Sequence, residues 1–163
     1  MSSLSVPYVL GGTLTEQQRL ILQARGLEAH ARALLDQLPI EPGARIVDVG
    51  CGPIGVMDLM SERVGPDGVV VGIEREPRFV DMARSELKLR ELRNVEVVHA
   101  DALKTGLERN AFDLVHARLV LINLPTATQQ ALLTEMLALV RPGGTIVLQE
   151  YDAMRTFRSR SLR

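Results

Sequence analysis

The sequence predicts an α/β fold, a doubly wound parallel sheet of five strands with an N-terminal helix. Two observations carry this. Five short apolar runs, at residues 45–49, 69–73, 95–98, 112–116 and 145–148, alternate with segments of helical period or with polar loops, the pattern of strand-crossover-strand units. The first run passes directly into "GCGPIG", residues 50–55, and a glycine-rich turn from strand to helix is where such sheets bind ligands.

Each element has a local reason. A helix is expected from Thr15. Thr13 with Glu16, and Thr15 with Gln18, have capping-box spacing, and Leu20, Ala24, Leu27, Ala31, Leu34 and Leu38 share a face before Pro39. The first strand covers 45–49 and a helix 56–63, which stops before the turn signal "GPDG". Residues 69–73 are continuously apolar, as in a strand buried on both faces. Pro77 suits the first turn of a helix whose inward residues are Phe79, Met82, Ala83 and Leu87. Strands at 95–98 and 112–116 follow. A helix over 126–140 enters after Pro125 and ends at "RPGG", before the last strand at 145–148.

Bulk properties narrow the function. A chain of 163 residues is one domain's worth, long enough to bury about 70% of its unfolded surface. The net charge of -1 gives no reason to expect a nucleic-acid partner. Cys51 is the single cysteine, so no intrachain disulfide forms and a cytoplasmic location fits. No apolar run is long enough to span a membrane, and no secretory leader is legible. The expected organisation is a flexible arm at 1–14, one ligand-binding domain at 15–152 and a basic flexible tail at 153–163.

The glycine loop admits several ligands. Gly50, Gly52 and Gly55 fit G-x-G-x-x-G, which allows a sharp turn and close approach of a ligand to the main chain. No Lys-Ser or Lys-Thr follows, against a triphosphate loop. Glu74 ends the second strand, where a carboxylate accepts both hydroxyls of a ribose; that still permits NAD. Asp48, two residues before Gly50, would repel a pyrophosphate and attract an amino group. A ribose at one end and a cationic amino acid at the other describe S-adenosylmethionine.

The chain resembles the class I S-adenosylmethionine-dependent methyltransferases, in their small-molecule branch. "VDVGCGPIG" is similar to that family's acidic, glycine-rich first motif and "VVGIE" to its second-strand motif. "VVHADAL", "FDLVHARLVL" and "LVRPGGTIVLQE" resemble the motifs of the third, fourth and fifth strands. The third glycine departs from the commoner G-x-G-x-G by one position. The resemblance implies that Asp48 holds the methionine amino group, that Gly50, Cys51 and Gly52 lie against the methionyl part, and that Glu74 takes the ribose hydroxyls. Asp101 would accept from the adenine amine with Ala102 N–H near the ring, and Arg75 would pack on adenine.

Methyl transfer from a sulfonium needs the acceptor in line, and for some acceptors a base. His99, His116, Glu150 and Asp152 stand at the carboxyl ends of strands. His116, beside the expected methyl, and Glu150, with Tyr151 toward the acceptor, are the catalytic candidates; His116 also counts among the cofactor contacts. The expected activity is methylation of a small molecule, without metal. The alternative is a module that binds the cofactor and works by association.

Set against the family it resembles, the chain is expected to be short beyond the fifth strand, without the usual last two strands. An open apolar edge at 145–148 predicts a homodimer. The segment from Tyr8 to Gln18 is expected to close over the cofactor.

Overall fold

The computed structural model describes residues 26–53 and 55–150. The expected helix start at Thr15, the arm at 1–14, the closing segment at 8–18, Tyr151, Asp152 and the tail at 153–163 lie outside them. Helix α1 is described over 26–35. There follow β1 (Arg45–Val49), α2 (Met57–Val64), β2 (Val69–Glu74), α3 (Pro77–Leu89), β3 (Val95–His99), β4 (Phe112–Arg118), a single 3₁₀ turn (Leu121–Asn123), α4 (Thr126–Leu139) and β5 (Val140–Gln149). The strands form one sheet in the order β3-β2-β1-β4-β5, and every pairing is parallel.

Alternation along each strand divides the core into two layers. Ile46, Val70, Leu114 and Val147 face α1, α2 and α3, meeting Ala31, Leu35, Leu59, Met60, Val64, Val80 and Ala83. Val47, Val49, Val71, Ile73, Val115 and Ala117 face the other way and meet Leu132, Met136 and Leu139 of α4. Each such Val, Leu, Ile or Met side chain, fully buried, contributes roughly 1.5–3 kcal/mol. On α1 the buried residues are Ala31 and Leu35, with Leu27 and Leu34 half-buried, as is Leu38 in the turn beyond it. Leu35 was absent from the expected face, which is therefore rotated toward it.

Two boundaries differ from expectation in an informative way. The helix expected over 126–140 ends at Leu139, and the strand expected at 145–148 already begins at Val140, which pairs with Phe112. The register then shifts so that Thr145 faces Leu114. "RPGG" is therefore a bulge within β5, not only a break before it. Pro142 has no N–H to give the ladder, Gly143 has φ 78°, and a Cβ on Gly144 would lie 2.8 Å from the Asp113 carbonyl oxygen. β4 runs on to Arg118 because β5 supplies partners for Ala117 and Arg118 in Leu148 and Gln149.

At the amino-terminal rim of the sheet, Asp113 accepts the Arg45 backbone N–H at 2.8 Å and Arg141 Nε at 2.6 Å. The Arg45 guanidinium lies 5.0 Å from the Phe112 ring centre and 3.3 Å from Glu108. Asn94 joins α2 to the entry of β3, accepting from the Ser61 hydroxyl at 2.7 Å and donating to the Gly65 carbonyl at 2.8 Å.

No helix covers the β3–β4 connection among the described residues; a buried carboxylate holds it instead. Glu135 of α4 accepts the Thr105 N–H at 2.8 Å, the Thr105 hydroxyl at 2.7 Å and Arg109 Nη1 at 2.8 Å. Burial alone would raise its pKa. The bonds from Thr105 and Arg109 outweigh burial and hold it below the ordinary 4.5. This contribution to stability is present above pH 4.5 and is lost as the pH falls through the lowered value. Glu135→Ala, which orphans the Thr105 donors, is expected to lower the unfolding free energy by about 2–3 kcal/mol. Urea denaturation checks it; an unchanged midpoint would show that the clasp holds nothing.

Candidate active site

β1 pairs with β2 on one side and with β4 on the other, so the direction of strand order reverses between β1 and β4. A crevice beyond the carboxyl ends is expected there. The chain leaves β1 through two bonds to one acceptor: Gly50 N–H and Cys51 N–H both donate to the Ile73 carbonyl, at 2.8 and 3.0 Å. Gly50, at φ 70°, also lies tight against the β4 exit, since a Cβ there would sit 2.5 Å from Val120 Cγ2. Gly52 has φ 64° with open space where a side chain would be.

Glu74, at the end of β2, is buried and faces this loop. Its Oε1 accepts the N–H groups of Arg75 and Glu76, both at 2.8 Å, and Oε2 accepts Gly52 N–H at 3.0 Å. Burial pushes its pKa above the ordinary 4.5; the three N–H bonds and the nearby Arg75 charge pull the other way without cancelling the rise. A carboxylate offers roughly four acceptor positions, so these bonds leave one for a ligand hydroxyl.

Asp48 and His116 are register partners across β1 and β4. Both are buried, and His116 Nδ1 lies 2.8 Å from Asp48 Oδ1. In the tautomer that carries its proton on Nδ1, the imidazole donates to this carboxylate oxygen. The other oxygen, Oδ2, is turned to the glycine loop: a Cβ on Gly55 would stand 3.1 Å from it.

Cys51 is buried, and a Cβ on Gly72 would come within 2.8 Å of its sulfur and 2.5 Å of Met57 Sδ. The bare Gly72 in β2 thus makes room for the loop. Burial first, then the negative charges of Asp48 and Glu74, push the Cys51 thiol well up, so it is a packing group and not a nucleophile.

The other residues named from the sequence lie around this centre. Arg75 is half-buried, and its carbonyl is 3.0 Å from His99 Nε2. Asp101 is exposed beyond β3, with Oδ1 accepting Leu103 N–H at 2.8 Å, so one oxygen shapes its own turn. Ala102 packs against the α4-side core. Glu150, just past β5, accepts the N–H groups of Leu121 and Ile122 at 3.0 and 3.4 Å and so secures the 3₁₀ turn after β4.

The structure therefore brings Asp48, Gly50, Cys51, Gly52, Glu74 and His116 together on adjacent strand ends. Asp101 and Ala102 lie beyond the next strand out, β3, and Glu150 on the opposite side, beyond β5. Sequence reasoning missed Val120, which closes on Gly50, and the pairing of Asp48 with His116. The only signal for the latter was that both stand near the carboxyl ends of strands; the parallel register that aligns them is set in three dimensions.

The fold is shared with solved methyltransferases. A structure described as a SAM-dependent methyltransferase from Aquifex aeolicus superimposes with a TM-score of 0.74 at 22% identity, covering 84% of this chain and 72% of that one. Geranyl diphosphate C-methyltransferase from Streptomyces coelicolor, solved with S-adenosyl-L-homocysteine, superimposes with a TM-score of 0.67 at 20% identity, covering 84% of this chain and 51% of its own. Sheet order, glycine loop and the acidic residue ending β2 thus define the class I S-adenosylmethionine-dependent methyltransferase fold. A family model described as "Methyltransferase domain" matches residues 40–161, and the chain belongs to that family. The demethylmenaquinone methyltransferase of Listeria welshimeri is 32% identical over 107 residues, 66% of this chain and 44% of that protein. The chain thus spans less than half the length of this curated relative.

Proposed function

We propose that the chain binds S-adenosylmethionine at the β1–β2–β4 strand ends and serves methyl transfer to a small-molecule acceptor. The observation that carries this is the pair of buried carboxylates flanking one glycine loop, Asp48 and Glu74. A pyrophosphate would meet two like charges there. A ligand with an ammonium at one end and ribose hydroxyls at the other meets an acceptor at each. Support comes from similar proteins: geranyl diphosphate C-methyltransferase, which shares the fold, carries S-adenosyl-L-homocysteine, and its name and that of the demethylmenaquinone methyltransferase denote small acceptors.

In this reading the bound cofactor would supply an activated methyl group on a sulfonium, whose leaving group is a neutral thioether. The protein's part is to hold donor and acceptor in line. Glu74 takes ribose, and Asp48 takes the amino group. Asp101 and Ala102 meet adenine, with Arg75 beside it. Glu150 holds the 3₁₀ turn at the acceptor side, where Ile122 is exposed and Leu121 half-buried. Calorimetry is expected to show saturable binding of S-adenosylhomocysteine and none of NAD; the reverse would overturn the reading. Transfer of a tritiated methyl group across an acceptor panel tests the chemistry.

The reading extends to a homodimer joined along β5, the outer strand of the sheet among the described residues. Leu148 on it is exposed, whereas Val147 is buried against the core, so charge is best introduced at Leu148. Sedimentation equilibrium is expected to show a dimer that Leu148→Lys dissociates; a monomer throughout would refute it. The cytoplasmic location belongs with this proposal: no described helix is long and apolar enough to cross a membrane.

A further inference from the structure

We propose that His116 is a positioning residue that acts through Asp48, setting which carboxylate oxygen meets the amino group of the ligand. The inference rests on the cofactor reading above. His116 is 1% exposed, and its ring meets Asp48 within the strand pair. Its one described polar contact is Nδ1 to Asp48 Oδ1, at 2.8 Å. The backbones fix the pair, because Asp48 and His116 face each other in the β1–β4 register, and in a parallel pair residues in register on one face stand side by side.

The consequence is a division of labour between two oxygens. Oδ1 is committed to the imidazole. Oδ2 is thereby turned toward Gly55 and the loop, where an arriving ammonium would lie. Freed from His116, the carboxylate would rotate about its last torsion, which is broad for aspartate, and present its oxygens at varied angles. An imidazole N–H suits the task because it can hold a carboxylate without necessarily cancelling its charge, as a lysine or arginine would. A ligand cation then meets the negative charge on an oxygen already aimed.

The test compares two ligands that share adenine, ribose and sulfur: S-adenosylhomocysteine, which carries the amino-acid end, and methylthioadenosine, which lacks it. His116→Leu removes the donor while filling much of the buried volume. His116→Asn keeps an N–H donor near the position of Nδ1. Calorimetry is expected to show His116→Leu losing about tenfold or more in affinity for S-adenosylhomocysteine, with methylthioadenosine within about twofold of the parent. His116→Asn is expected to recover most of the loss. A Leu variant that binds both ligands as the parent does, or loses both equally, overturns the proposal, the second outcome marking a structural role. If the Leu variant does not fold, the Nδ1 proton resonance of His116 in the parent protein decides: it should shift on adding S-adenosylhomocysteine and not on adding methylthioadenosine. Equal shifts, or none, overturn the proposal. A parent protein that binds neither ligand defeats the cofactor reading itself, which is a separate result.

Discussion

Replacing Glu74 with alanine is expected to loosen the glycine loop and abolish S-adenosylhomocysteine binding together. Three backbone N–H groups, of Gly52, Arg75 and Glu76, lose one shared charged acceptor. Burial of the charge offsets part of what those bonds contribute, so the net loss is put at about 2–4 kcal/mol. Chemical denaturation reads the stability and calorimetry the binding. A variant with unchanged midpoint and unchanged affinity would remove Glu74 from the site. Glu74→Gln is expected to fall between, because an amide keeps one oxygen and turns a donor toward a donor.

The raised pKa of Glu74 adds a sign. The folded state takes up this proton at a higher pH than the unfolded chain does, so the contribution to stability is full below pH 4.5 and is lost as the pH rises through the raised value. Ligand binding has the opposite slope, since the charged form is the better acceptor of ribose hydroxyls. Affinity should therefore fall on acidification at a pH above 4.5. A carbon-13 titration of the Glu74 carboxyl with its midpoint at or below 4.5 would contradict this.

The second large effect is expected at Gly50. Alanine there must hold φ near 70° and place a Cβ 2.5 Å from Val120 Cγ2. The left-handed backbone costs roughly 1–2 kcal/mol and overpacking roughly 1–3 kcal/mol. Val120 has little freedom to yield, because a β-branched side chain is stiff. Thermal unfolding should register the combined loss, and Val120→Ala in the same chain should restore part of it by removing the clash. No restoration would mean that the backbone angle, and not the close approach, demands glycine.

The fold was legible where one local cause sufficed. Five runs with intervening helices were enough for a parallel sheet, and Pro77 and Pro125 marked helix entries that the structure keeps. Gly50, Gly52 and Glu74 were legible because backbone turn and strand end are properties of single positions. The β5 bulge was not, because its cause is the approach of Gly144 to Asp113, 31 residues away in sequence. The Glu135 clasp was hidden for the same reason: a glutamate on a helix reads as solvent-facing until Thr105 is placed beside it. The carboxylates were legible as acidic groups near strand ends, but their protein partners, His116 for Asp48 and the N–H groups for Glu74, depend on register.

Asp113, at the amino-terminal rim, ties Arg45 and Arg141 into one cluster far along the strands from the glycine loop. The two rims of the sheet therefore answer to different selection pressures. In a randomised library, changes at residues 45, 108, 113 and 141 would be filtered by growth temperature and forgiven in the cool. Changes at 48, 50, 74 and 116 would, in the reading proposed above, be filtered by ligand as well as by stability. The charged rim, which is no part of the proposed site, is then free to be rewritten in adapting the same scaffold to a hotter or colder host.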